Sequence, residues 1–122
     1  MAYVDGFVVP VPKKKLDAYR AMARRVGKVL IEHGALEYRE WVADDVKPGK
    51  LTSFPQAVDL KANETVIFAW IVYKSRASRD KINAKLMKDP RLADMMDVSS
   101  LPFDGKRMIF GGFASLLSMD AD

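Results

Sequence analysis

A continuous apolar stretch, residues 65–74, is the most prominent feature of the hydrophobic pattern. It is rich in β-branched and aromatic residues, contains no glycine or proline, and is too short to span a membrane, so it predicts a β-strand. Alternation along a strand places two apolar sets on opposite faces. One face carries Val66, Phe68, Trp70 and Val72, and the other carries Ile67, Ala69, Ile71 and Tyr73. Both faces therefore have to be covered by other parts of the protein.

The first part of the chain predicts a strand followed by an amphipathic helix. Residues 3–10 alternate as a strand does, and Pro12 then suits the first position of a helix. Residues 13–33 repeat apolar side chains at helical spacing and carry basic side chains on the opposite face. Gly34 is suited to end this helix as its C′ residue.

Two further strands are predicted, one before the apolar stretch and one near the end of the chain. Residues 35–42 alternate as a strand. Residues 107–116 form the last strand, in which Gly111 and Gly112 indicate a bulge or a close approach by another backbone. Residues 51–64 are interrupted by a proline and predict an excursion with room for a short edge strand.

A second helix is predicted directly after the central strand. Ser75 is suited to be its N-cap, and the helix should run for about a dozen residues. We expect Ile82, Leu86 and Met87 to point inward from it. A proline at position 90 ends the helix.

The order strand, helix, strand, strand, helix, strand predicts an α+β fold, the ferredoxin-like βαββαβ plait with a four-stranded antiparallel sheet. Two helices can cover one face of such a sheet. The other face would expose large apolar side chains, more than a monomer normally tolerates. We therefore expect a homodimer in which two sheets pack face to face around a two-fold axis.

Composition narrows the classes of protein. A chain of 122 residues with 49% hydrophobic content suits a single domain over residues 1–122. The absence of cysteine excludes disulfides and thiolate chemistry. Asp44 and Asp45 fit a turn better than a metal site, because no further carboxylate lies at ligand spacing. With no secretory signal and no membrane-length apolar run, we expect a cytoplasmic protein without metal or cofactor.

His33 and Glu40 have the chemistry of a general acid or base. His33 is the only histidine, and an imidazole oriented by Tyr38 or Glu40 would titrate near neutral pH. Glu40 shares its strand face with apolar residues, which tend to raise the pKa of a carboxylate. Structural roles are the favoured alternatives. His33 would then cap the helix, and Glu40 would pair with a cation such as Arg107 across the sheet.

Five aromatic residues on three predicted strands could line a pocket for a flat apolar ligand. They are Tyr38, Trp41, Trp70, Tyr73 and Phe110. Arg107 is a candidate for charge stabilisation beside them. The same aromatic residues also suit a core or a dimer interface, and for Trp70 the interface is favoured because its strand is apolar on both faces.

Lys13, Lys14 and Lys15 begin the predicted basic helix. Residues 13–28 carry seven lysines and arginines against one aspartate, in a chain of net charge +4. Cations at a helix N-terminus oppose its dipole unless they stay solvated or bind an anion together with free backbone N–H groups. The solvated face is favoured over anion binding. Nucleic acid is not expected as a partner, because the helix has no interleaved exposed aromatic residues.

Several segments together resemble a known family: residues 33–38, 44–45, 71–76, 89–96 and 102–113. In this order they resemble the YbaA-like family of small bacterial proteins, which is grouped as a domain of unknown function. The segment 102–113, which reads PFDGKRMIFGGF, is the most specific part. The resemblance covers nearly the whole chain and implies the dimeric α+β barrel superfamily, which includes cofactor-independent monooxygenases and ligand-binding modules. It implies no catalytic residues.

The sequence therefore predicts a small dimeric α+β barrel protein that binds a small organic molecule in the cleft between helices and sheet. Ligand contacts are expected from Tyr38, Trp41, Tyr73 and Arg107. One alternative is a cofactor-independent oxygenase- or isomerase-like enzyme that uses His33 with Glu40. The other is a non-catalytic regulatory or interaction module that binds anions through its N-terminal lysines. The sequence leaves open whether the protein is an enzyme.

Overall fold

The computed structural model describes residues 2–121 and contains a four-stranded antiparallel sheet. Its strands are β1 (Tyr3–Pro12), β2 (Glu37–Val42), β3 (Glu64–Tyr73) and β4 (Ile109–Ala114). Its α-helices are α1 (Leu16–Glu32), α2 (Phe54–Ala57) and α3 (Arg76–Lys88). The sheet order is β2-β3-β1-β4. The predicted ferredoxin-like α+β plait is therefore confirmed.

β3 lies inside the sheet and pairs along its length with β1, while β2 pairs with its other edge. One face of β3 carries Ile67, Ala69, Ile71 and Tyr73, each at most 8% exposed. This face packs against α1 and α3. The core residues contributed by these helices are Tyr19, Ala23, Leu30 and Ile82. We call this side of the sheet the helix face.

The opposite side of the sheet, here called the open face, is only partly covered. α2 and the residues that follow it cover one end, where Val58 packs against Val8 and Val66. Elsewhere large apolar side chains are exposed: Trp41 (47%), Phe68 (41%), Ile109 (45%) and Phe113 (63%). The uncovered apolar face expected from the sequence is therefore present in the chain.

The junction of β1 and α1 differs from the prediction. β1 continues to Pro12, which pairs with Glu64, and Lys13–Lys15 form a 3₁₀ turn before α1 begins. Pro12 is thus the end of a strand and not the first residue of the α-helix. β4 pairs with β1 only over residues 3–8, so the prolines at the end of β1 lie where that strand has a free edge. The missing N–H groups of Pro10 and Pro12 therefore remove no hydrogen bond between β1 and β4.

Three other local predictions were wrong. Residues 51–58 contain the short helix α2, capped by Ser53, and no edge strand. Met87 is 72% exposed and does not point inward. β4 pairs with β1 in a continuous register, without a bulge. The close approach at Gly112 comes from a side chain, because a Cβ atom there would overlap Tyr3.

The predicted helix ends agree with the structure. Ser75 caps α3 by accepting a hydrogen bond of 3.1 Å from the backbone N–H of Ser78. Gly34 follows α1 with φ +116°, a conformation open to glycine but costly for other residues. The Ala35 N–H then donates to the Leu30 carbonyl at 3.0 Å, which closes the last turn. No helix within residues 2–121 is long and apolar enough to cross a membrane.

We expect the Gly34→Ala variant to be destabilised by about 1–3 kcal/mol, the usual cost of a residue in a disfavoured backbone region. The cost is conformational, because the nearest atom to an added Cβ, Ile82 Cδ1, lies at 3.6 Å. Urea unfolding measures the difference. Gly105→Ala is the matched control, since its Cβ would meet nothing closer than 4.0 Å and its φ is not positive. Equal stability of the two variants would contradict the prediction.

Candidate functional site

A cavity of about 130 Å³ lies between α1 and the helix face of the sheet. The segment that follows α3 closes its third side. Its apolar lining consists of Phe7, Val9, Met22, Val26, Ala69, Ile71, Met95, Phe103 and Met108. Three polar side chains complete it: Tyr19, Tyr38 and Glu40. We call it the Glu40 cavity.

The Glu40 carboxylate is held by two tyrosine hydroxyls. Tyr19 donates to Oε1 at 2.7 Å, and Tyr38 donates to Oε2 through a short hydrogen bond. Strand alternation on β2 places Tyr38 and Glu40 on the same face, and the inward stripe of α1 brings Tyr19 above them. Each carboxylate oxygen therefore has one donor and retains further capacity to accept.

The electrostatics of this group keep the two tyrosine hydroxyls protonated beside a half-buried carboxyl group. Burial raises the pKa of Glu40, and the hydrogen bonds from Tyr38 and Tyr19 oppose that rise only in part. Burial and then the charge of Glu40 raise the pKa values of Tyr19 and Tyr38. Both hydroxyls thus remain donors at any ordinary pH. The group can orient a ligand that donates a hydrogen bond, and Glu40 can accept or release a proton.

Tyr38 is kept in place by a close approach to α1. Its ring lies over Gly27, where an added Cβ would come within 2.6 Å of the ring atom Cδ2. Glycine at this position lets the strand and helix meet. Sequence reasoning assigned no site role to Tyr19 or Gly27. A glycine inside a helical pattern, about two turns after an inward tyrosine, was the available signal.

Glu40 also borders a second cavity, about 200 Å³ in volume, at the β2 edge of the sheet. We call it the outer groove; Leu16, Arg20 and Trp41 are among its lining residues. Arg20 is exposed there and pairs with Asp17 at 3.2 Å. Glu40 therefore borders both cavities.

His33 lies apart from the Glu40 group. It caps the end of α1, and its Nε2 atom is 2.9 Å from Oδ2 of Asp89. Hydrogen bonds from Arg91 first, and from His33 second, hold the pKa of Asp89 well below its usual range. Within residues 2–121, His33 forms no hydrogen bond with Tyr38 or Glu40, the two residues expected to orient it.

Arg107 and Tyr73 also lie in other surroundings. Arg107 donates to both carboxylate oxygens of Glu64, at 2.8 and 2.6 Å, and not to Glu40. It fixes the segment before β4 to the start of β3. Tyr73 is fully buried in the second core cluster, which α3 covers. Tyr73 shares the helix face with Glu40 but does not line its cavity.

The other predicted site residues divide between the open face and the surface. Trp41 alternates to the open face, where its ring centroid is 5.4 Å from that of Trp70, and only its edge position brings it to the outer groove. Lys13, Lys14 and Lys15 are exposed in their 3₁₀ turn. In the described part of the chain, no three acidic or histidine side chains are grouped to hold a metal ion.

Comparison with protein families decides the assignment. Residues 2–105 match the family described as "Protein of unknown function (DUF1428)". The chain belongs to this family. It is also 51% identical over 117 residues to the uncharacterized protein YbaA of Escherichia coli K12, with 96% of this chain and 98% of that protein covered. The YbaA protein of Shigella flexneri matches equally well. The resemblance noted in the sequence is thereby confirmed.

A solved structure supports the fold assignment. The chain is similar to a putative antibiotic biosynthesis monooxygenase from Nitrosomonas europaea, with a TM-score of 0.56 and 14% sequence identity. The similarity covers 94% of this chain and 90% of that one. At this identity it shows a shared fold and nothing about shared chemistry.

The Glu40→Gln variant should gain stability relative to wild type as pH rises. Because the folded-state pKa of Glu40 is raised above its usual value of 4.5, the folded protein binds this proton more tightly than the unfolded chain. The contribution of Glu40 to the free energy of unfolding is complete at pH values below its pKa in the unfolded chain. It is lost as pH rises through its pKa in the folded protein. Urea unfolding at about pH 4 and about pH 8 measures the change, because glutamine does not titrate.

Glu37→Gln, on the same strand as Glu40, is the control. Its stability relative to wild type should change with pH in the opposite direction. A hydrogen bond from Trp70 lowers the pKa of Glu37, so its contribution is present at high pH and lost on acidification. This variant should therefore lose stability relative to wild type as pH rises. The same direction of change in both variants would contradict a raised pKa for Glu40.

Proposed function

We propose that the protein binds a small organic molecule in the Glu40 cavity. The observation that carries this proposal is a carboxylate fixed by two tyrosines in an otherwise apolar cavity. Ligand sites commonly combine an apolar lining with a few well-placed polar groups that fix orientation. Glu40 supplies the acceptor, and the Phe and Met side chains supply the apolar walls.

The size of the cavity restricts the ligand. Its volume is about 130 Å³, and an apolar protein cavity of about 150 Å³ is known to accommodate benzene. A ligand with one ring, or an aliphatic group of similar volume, therefore fits inside. A longer ligand would extend past Glu40 into the outer groove.

Proton transfer is a second candidate function, favoured by the raised pKa of Glu40. A carboxylate whose pKa is raised in this way can act as a general base or acid. In such a reaction Glu40, and not His33, would be the acting group, because His33 is bonded to Asp89. The oxygenase-like alternative gains no support from this geometry. Lys13, Lys14 and Lys15 are exposed in their turn, which favours the solvated face over an anion-binding module.

The proposal includes a homodimer formed through the open face. Large apolar side chains are exposed on this face, and their burial in a dimer would be favourable. They are Trp41, Phe68, Ile109 and Phe113. The Glu40 cavity lies on the helix face and would stay accessible in this dimer. The cytoplasmic location and the single domain expected from the sequence remain predictions.

Ligand binding can be followed with ¹³C-methyl-labelled methionine and benzyl alcohol as the probe. The methyl resonances of Met22, Met95 and Met108 should shift and saturate, because these residues line the cavity. Met87 and Met119, which are 72% and 86% exposed, should not respond. An NMR titration makes the measurement.

The Val26→Phe variant is the control, because a larger side chain would fill the cavity from α1. It should abolish the shifts while a thermal melt shows that the protein is still folded. Shifts of equal size at Met87 and Met119, or saturating shifts that survive in the filled variant, would contradict binding at this site.

The Phe68→Glu variant should turn the dimer into a monomer. Phe68 lies on the interior strand of the open face and is 41% exposed in the single chain, so two buried charges would oppose association. Sedimentation equilibrium at micromolar concentration measures the mass. Met87→Glu, on the exposed side of α3, should leave the mass unchanged. A monomeric wild-type protein would disprove the dimer.

A further inference from the structure

The carboxylates with low exposure differ in what neutralises them. Three have an arginine partner at 2.6–2.8 Å: Asp5 with Arg79, Glu64 with Arg107, and Asp89 with Arg91. Glu40 has hydrogen bonds from two neutral hydroxyls and, among the residues that the structure describes, no ion pair. The protein thus supplies a positive charge to the structural carboxylates but not to the one in the cavity.

Neutral donors do not replace a counter-ion. Tyr19 and Tyr38 reduce the cost of an ionised carboxylate in an apolar cavity, but its charge remains uncompensated. Arg20, which borders the outer groove, is exposed and engaged with Asp17. A ligand with a cationic group beside Glu40 would gain the electrostatic attraction between that group and the carboxylate.

We propose that the ligand of the Glu40 cavity is a small apolar amine whose ammonium group pairs with Glu40. This inference rests on the proposed function and adds the chemical class of the ligand. The ammonium would lie against the carboxylate, where two of its N–H groups can reach the free acceptor positions on Oε1 and Oε2. The apolar body of the amine would fill the space among the Met and Phe side chains.

The lining agrees with a cation as well as with an apolar body. Aromatic rings of Phe7, Tyr19, Tyr38 and Phe103 line the cavity, and the faces of such rings attract ammonium groups. The thioethers of Met22, Met95 and Met108 are polarizable and adapt to ligand shape. An anionic ligand of the same size would be repelled by Glu40. A neutral alcohol could donate a hydrogen bond but would leave the charge uncompensated.

Three one-ring probes of similar size test the inference: benzylamine as the cation, benzyl alcohol as the neutral donor and benzoate as the anion. Titration into wild-type protein at neutral pH, followed by calorimetry and by the methionine methyl resonances, gives their affinities. Benzylamine should bind at least about tenfold more tightly than benzyl alcohol, and benzoate should bind most weakly. This series needs no variant, so it does not depend on a substituted protein folding.

Variants then identify the group that recognises the charge. Glu40→Gln should reduce benzylamine affinity by about tenfold while changing that of benzyl alcohol by less than about threefold. Glu37→Gln removes a carboxylate from the open face of the same strand and should leave the order of the three probes unchanged. A preference for benzylamine that persists in Glu40→Gln would overturn the role assigned to Glu40.

The outcomes separate this inference from the function on which it rests. Binding of benzyl alcohol at the cavity methionines, with benzylamine no tighter, would overturn the amine and retain the cavity as a ligand site. Absence of binding by all three probes would overturn both. Tight benzylamine binding that shifts only the exposed methionines would show surface attraction and would also overturn both.

Discussion

The apolar character of both faces of β3 is the constraint on which the rest of the structure depends. A strand of this kind can lie only inside a sheet that is covered on two sides. α1 and α3 cover the helix face, where Ile67, Ala69 and Ile71 are almost fully buried. α2 covers one end of the open face and leaves the remainder, around Phe68, exposed. The core, the cavity and the surface proposed for association all follow from this arrangement.

The cavity exists because α1, the helix face of the sheet and the segment after α3 do not pack completely against one another. α1 and the sheet form two walls, and the segment after α3 forms the third with Met95, Phe103 and Met108. That segment contains two short 3₁₀ helices, Pro90–Met96 and Val98–Ser100. Arginine–carboxylate pairs hold its two ends, Arg91 with Glu32 of α1 and Arg107 with Glu64 of β3. The protein therefore uses its charged pairs to build the walls and leaves Glu40 to face the space inside.

The two sides of the sheet separate the proposed functions. Association would use the open face, and ligand binding would use the helix face, so that alternate residues of one strand serve different purposes. β2 shows this most directly, because Glu40 lines the cavity while the ring of Trp41 lies beside that of Trp70 on the other side. Substitutions on one face can thus change one property with limited effect on the other.

Patterns along the chain determined the four strands of the sheet, the two long helices and their order, because hydrophobic periodicity and capping act over a few residues. Gly34, Ser75 and the two faces of β3 could be predicted for that reason. The partners of charged and polar side chains could not, since they come from residues far apart in sequence. Only the tertiary structure brought Tyr19 to Glu40, Arg107 to Glu64 and His33 to Asp89. Among the carboxylates of low exposure in residues 2–121, it alone decided that Glu40 has no cation beside it, because that depends on how the helices cross the sheet.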